Sequence, residues 1–144
     1  MKTVRKLTSV ALAMFMACGT SLSQAANCQR ILGTIGASSQ WGSGWIDLSD
    51  AEFNAGDNLR LSIGGTASKV LIRILRTGES PDSPTGILGQ FSVPKERFVE
   101  FKLSQDFKRV KQISVHGGSN PWGQFPLGGG NGPATIMGLE RCTK

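Results

Sequence analysis

Residues 53–63 read FNAGDNLRLSI, and the class of fold follows from how that stretch divides. Asn54-Ala55-Gly56-Asp57-Asn58 is turn chemistry, because Asn and Asp side chains bond to nearby backbone and Gly supplies a positive φ at no steric cost. Leu59-Arg60-Leu61-Ser62-Ile63 then alternates apolar and polar residues, the period of a strand with one face in a core and one in water. A turn that feeds straight into an alternating strand is the unit of an antiparallel sheet.

The same grammar extends in both directions. Val70-Leu71-Ile72-Arg73-Ile74-Leu75 is β-branched and almost continuously apolar, which predicts a central strand covered on both faces for part of its length. Val99, Phe101 and Leu103 alternate with Glu100 and Lys102. Further strands are expected at Trp45 to Leu48, Ile87 to Val93, Val110 to Val115, Thr135 to Arg141 and Arg30 to Ile35, making about eight short strands at regular spacing. Between them lie Gly64-Gly65, the segment Gly78-Glu79-Ser80-Pro81-Asp82-Ser83-Pro84, and Pro94-Lys95-Glu96-Arg97, all rich in turn formers. Asp50 to Phe53 and Ser104 to Lys108 each have room for one helical turn. There is no sustained helical periodicity, internal repeat or linker, so the expected architecture is all-β: an antiparallel β-sandwich of jelly-roll type.

The chain opens MKTVRKLTSVALAMFMACGTSLSQAANC. Lys2, Arg5 and Lys6 precede an apolar run from Leu7 to Ala17, followed by small residues ending at Ala25, which is the order of a secretory signal peptide. The run is shorter than the roughly 20 apolar residues a spanning helix needs. Residues 1–25 are therefore read as a signal, and residues 26–144 as one β-sandwich domain without a transmembrane segment. Met16-Ala17-Cys18 resembles the end of a lipoprotein signal, with Cys18 as the acylated residue, but Phe15 stands where that pattern has Leu, Val or Ile. Ordinary cleavage after Ala25 is the preferred reading, and it places the protein in the periplasm or outside the cell.

Removing Lys2, Arg5 and Lys6 leaves 13 basic against 10 acidic residues, so much of the +6 formal charge belongs to the signal. The remaining basicity is too mild to point to nucleic acid. Of three cysteines, Cys28 and Cys142 then remain, one near each end, in an oxidising compartment where disulfides persist. A bridge between them would close nearly the whole domain and bring its termini together.

Phe53-Asn54-Ala55-Gly56-Asp57-Asn58-Leu59-Arg60-Leu61 resembles the strand-entry phrase of galactose-binding-like jelly rolls. Val110-Lys111-Gln112-Ile113-Ser114-Val115 is similar to their late V-x-x-I-x-V strand ahead of a ligand-side loop. The resemblance spans most of residues 26–144 and implies the fold more than a function.

Catalytic chemistry has little to draw on. His116 is the only His, which excludes a metal site built on several imidazoles, and HExxH is absent. His116-Gly117-Gly118 echoes an esterase oxyanion loop, but no GxSxG elbow accompanies it. Gly128-Gly129-Gly130-Asn131-Gly132 lacks the Lys-Ser/Thr of a phosphate loop. Asp47, Asp50, Glu52 and Asp57 read as solvated turn carboxylates rather than an acid and base pair. Glu79 and Asp82 lack the ligand count of a calcium site. Lys108-Arg109-Val110-Lys111, with Lys102 nearby, is the densest basic cluster and reads as a solvated turn before a strand. Neither an enzyme nor a cofactor is expected.

The segment HGGSNPWGQFPLGGGNGP, residues 116–133, holds seven glycines and three prolines around Trp122. Glycines beside a Trp let a ligand approach the backbone, and prolines reduce the entropy lost on binding. A sugar ring offers a C–H face to an indole and hydroxyls to amide and imidazole edges. Trp122 and Trp41 are the candidate stacking faces, and His116, Asn120, Gln124 and Asn131 the edge partners. Trp122 retains a second reading, a plug at one end of the sandwich. Trp45, leading a strand, is assigned to the core. The expectation is a periplasmic or secreted binding module for carbohydrate. The alternative is a structural protein of the cell envelope that binds a protein partner.

Overall fold

The computed structural model describes residues 28–38, 42–83, 85–117 and 132–142. They form nine strands: β1 (Cys28–Arg30), β2 (Thr34–Ser38), β3 (Ser43–Phe53), β4 (Asn58–Gly65), β5 (Lys69–Arg76), β6 (Ile87–Ser92), β7 (Phe98–Lys102), β8 (Phe107–His116) and β9 (Ala134–Cys142). One sheet has the order β1-β9-β4-β7 and the other β2-β3-β8-β5-β6. Every pairing is antiparallel.

The strand order carries a simple geometric meaning. β5 pairs with β6, β4 with β7, β3 with β8, and β1 with β9, so the chain is one long hairpin whose tip is the connection from β5 to β6. Successive rungs of that hairpin fall in opposite sheets, which is the rolled arrangement of a jelly roll. The expected all-β sandwich is thus the observed one. β2 adds an outer strand beside β3.

Alternation decides which residues enter the core. Leu59, Leu61 and Ile63 of β4 are buried while Arg60 and Ser62 face out, and they meet Ile72, Ile113 and Val115 of the other sheet. β5 is buried on both faces: Val70, Ile72 and Ile74 belong to the core between the sheets, and Leu71, Arg73 and Leu75 are covered on the other side. The turn from Asn54 to Asp57 is closed by Asp57 N donating to Asn54 O at 3.0 Å, with Gly56 at φ 93°. That positive φ at the third turn position is the reason a glycine stands there. Cys28 and Cys142 lie directly opposite in the β1·β9 ladder and are joined by a disulfide.

Two arginines act as fixed cations for backbone carbonyls. Arg73, only 3% exposed, donates from Nε to Thr85 O (2.8 Å), from Nη1 to Pro81 O (3.1 Å), and from Nη2 to Ser80 O (3.1 Å) and Ser83 O (2.5 Å). It thereby draws the β5–β6 connection over the outer face of the five-stranded sheet. Arg97 donates to Ala67 O (2.8 Å), Gly65 O (3.0 Å) and Ile63 O (3.3 Å), clasping the β4–β5 connection.

Several local expectations are corrected. Asp50 to Phe53 is strand, not helix: β3 continues to Phe53 through a register shift between Asp47 and Ala51, with Asp50 at φ 50° and its carboxylate accepting from Thr77 Oγ1 at 2.5 Å. Asp tolerates the left-handed region, so the bulge costs little. Residues 104–108 hold a bend and the start of β8 rather than a helical turn. The single strand expected from Arg30 to Ile35 is two strands in opposite sheets, because the chain crosses between them at residues 31–33.

Candidate functional site

The outer face of the five-stranded sheet is a register grid. Across β2, β3, β8 and β5, one row reads Gly36, Trp45, Ser114, Arg73; the row on one side reads Thr34, Asp47, Gln112, Leu75, and on the other Ser38, Ser43, His116, Leu71. Since side chains alternate between faces, these twelve residues share the side opposite the core. Burial rises across the grid: Thr34 is exposed and Trp45, Asp47 and Gln112 half-buried, whereas Ser114, His116 and Arg73 are buried.

Trp45 stands at that boundary. Its indole lies across Gly36, where an added Cβ would come within 2.5 to 2.8 Å of Nε1, Cε2 and Cζ2. The glycine therefore provides the seat for the ring. Beside it, Gln112 Nε2 donates to Asp47 Oδ1 at 2.9 Å, which fixes an amide and a carboxylate side by side on the outer face of the sheet. On the other side Ser114 Oγ lies 3.1 Å from His116 Nε2. Burial, and then the positive charge of Arg73, lower the His116 pKa to about 4, so the imidazole is neutral at physiological pH. An indole with hydroxyl, amide and carboxylate groups on either side can take a ligand that has an apolar face and a hydroxylated rim.

The sequence assigned Trp45 to the core, and the structure places it on the outer face. The signal was present: Ile46 and Leu48 occupy the inward positions, so Trp45 shares the parity of Asp47 and must point away. His116, read from sequence as a loop residue, closes β8 and is 7% exposed. Trp41, Asn120, Trp122, Gln124 and Asn131 lie outside the described residues. The flanks of their segments meet, since Gly42 O accepts from both Gly117 N (3.0 Å) and Ala134 N (3.1 Å). That corner adjoins the Ser43 and His116 pair. Gly44 permits the close approach of β3 to β9 there, as a Cβ would stand 2.6 Å from Thr135 Cα.

The carboxylates set aside in the sequence are engaged in structural contacts. Asp57 accepts from Asn54 N at 2.9 Å and lies 3.5 Å from Arg141, Asp50 accepts from Thr77, and Glu52 lies 4.0 Å from Lys108. Glu79 is bonded to Arg76 at 2.7 Å, and that hydrogen bond holds its carboxyl below the usual range. The carbonyls of the same connection converge on Arg73, so a guanidinium fills the place a cation would take. Among the described residues, the one group with the spacing of metal ligands is Cys28, Glu140 and Cys142, and its sulfurs are joined to each other.

No family model matches this chain. None of the curated proteins matches it either. Among solved structures it is similar to the C-terminal CBM6 of LamC, a marine laminarinase from Zobellia galactanivorans, at 13% identity over 81% of this chain and 89% of that chain, with a TM-score of 0.37. The assignment of the fold rests on the strand order itself.

Proposed function

We propose that the protein is a secreted or periplasmic, non-catalytic module that binds carbohydrate. The observation that carries this reading is the row Gly36, Trp45, Ser114: an indole seated on a glycine, partly exposed, with the Asp47 and Gln112 pair on one side and buried, neutral His116 on the other. Such a surface gives a pyranose a stacking face and hydrogen-bonding edges, while the strands hold both in place without loss of loop entropy on binding. Trp41 and Trp122 are proposed as further stacking faces, and Asn120, Gln124 and Asn131 as edge partners. The described residues that flank their positions in sequence, Gly42, Gly117 and Ala134, are joined by backbone hydrogen bonds beside His116. His116 acts through its contact with Ser114. The disulfide and the signal-like residues 1–25 support export. In this reading Asp50, Glu52 and Asp57 serve the fold, Asp47 serves as an edge of the binding surface, and none of them serves a reaction.

The test is a glycan array with the oxidised protein, followed by calorimetry of any hit against Trp45→Ala and Trp122→Ala. Loss of one stacking indole is expected to weaken binding about 10- to 100-fold, or about 1.4 to 3 kcal/mol, with the unfolding midpoint little changed for Trp45→Ala. A blank array from folded protein sinks the proposal, and stoichiometric recovery of a protein partner from envelope extracts would put the cell-envelope role in its place.

A further inference from the structure

The platform at Trp45 presents one net charge, and it is negative. Of the twelve residues in the grid on the outer face of the five-stranded sheet, only Asp47 and Arg73 bear a charge, since His116 is neutral. Arg73 is 3% exposed and spends its donors on four carbonyls of the β5–β6 connection. Its charge and that of Arg76 are offset by Glu79 and Asp82 of the same connection. Asp47 is only partly buried, is held by the neutral amide of Gln112, and has no ion-pair partner among the described residues. Lys111, next to Gln112 in sequence, is exposed and makes no ion pair with it.

Trp45 and Asp47 are next-but-one neighbours on β3 and share its outer face, so they stand about 7 Å apart along the strand, within the span of one sugar ring and a substituent. The face of an indole is the negative side of its quadrupole and attracts cations. Gln112 spends an amide hydrogen on Asp47, so the pair keeps its second carboxylate oxygen and its amide oxygen as acceptors. A ligand that covers Asp47 displaces water from a charge. A neutral hydroxyl returns a hydrogen bond to it, whereas an ammonium returns a hydrogen bond and the opposite charge. A uronate is excluded, because its carboxylate meets Asp47 as a like charge. We infer that the platform selects glycans whose sugars carry a free, protonated amine, with the ring stacked on Trp45 and the ammonium paired with Asp47. This rests on the reading of Trp45 as a carbohydrate platform and adds the chemical class of its ligand.

Tetramers of chitosan, chitin and cellulose share one linkage and differ only in carrying an amine, an acetamide or a hydroxyl at one carbon. Titrated calorimetrically into the oxidised protein at low salt, at a pH between the His116 transition and that of the amine, they test the assignment. The chitosan tetramer is expected to bind at least about tenfold more tightly than the other two, with a preference that shrinks as salt is added. Asp47→Asn keeps the shape of the side chain and an acceptor for Gln112, and should reduce that preference to less than about twofold with the unfolding midpoint little changed. Trp45→Ala should weaken all three. Equal or tighter binding of the chitin or cellulose tetramer, or a preference that survives Asp47→Asn, overturns the amine selectivity and leaves the carbohydrate platform standing. Chitosan binding undiminished in Trp45→Ala places the amine elsewhere and overturns the inference too. Binding of none of the tetramers also overturns it, and the glycan array decides separately whether the platform takes any other sugar.

Discussion

Trp45 and Gly36 face each other across the β2·β3 ladder, and the indole of the first occupies the space a side chain on the second would need. A platform on a sheet edge is thus built from two residues, one supplying the ring and the other its seat. Gly36→Val should tip the indole off β2 and weaken glycan binding at least about tenfold. Because β2 is an edge strand, stability should fall by no more than about 1 kcal/mol. Trp fluorescence and calorimetry on the same variant check the two statements separately, and undiminished binding would detach Gly36 from the site.

Arg73 predicts a larger structural effect. Arg73→Met removes the donors to four carbonyls of the β5–β6 connection, at an expected cost of about 2 to 4 kcal/mol. Arg73→Lys should recover little, since a single ammonium cannot span four carbonyls as a guanidinium fork does. Hydrogen exchange should accelerate through residues 77–86, and unchanged protection there would contradict the role given to Arg73.

His116 makes stability depend on pH in a definite direction. Its folded pKa of about 4 lies below the unfolded value near 6.5, so between those limits the unfolded chain takes up a proton that the folded protein refuses. Stability should be level above about pH 6.5, fall by up to about 3 kcal/mol as pH drops toward 4, and flatten below that as far as this group is concerned. Urea unfolding of the native protein and of His116→Gln isolates the effect: the variant should lose most of the slope in that window.

The Cys28–Cys142 bridge spans 114 residues of sequence. Replacing both cysteines by Ser should cost roughly 4 to 5 kcal/mol on the chain-entropy model. Denaturant midpoints of the oxidised protein and the double Ser variant measure it, and equal midpoints would mean that the β1·β9 ladder closes the domain without the bond.

How much of this was legible in the chain depended on the range of the interaction. Leu59 to Ile63 declares a half-buried strand through neighbouring residues alone, and the continuous apolar run at Val70 to Leu75 announces a strand covered twice. The Asn54 to Asp57 turn and the pairing of two end cysteines follow from equally local chemistry and simple counting. Even the outward aim of Trp45 was written in its parity with Asp47. What the sequence could not state is which strands become neighbours. The row Gly36, Trp45, Ser114, Arg73 collects residues up to 78 positions apart, and only the ladders of the folded sheet bring them into one line. The same holds for Arg73, the one charged residue in the run from Val70 to Leu75. Tertiary structure turned it into the anchor of the loop above, because a buried guanidinium must find acceptors and the β5–β6 connection supplies them.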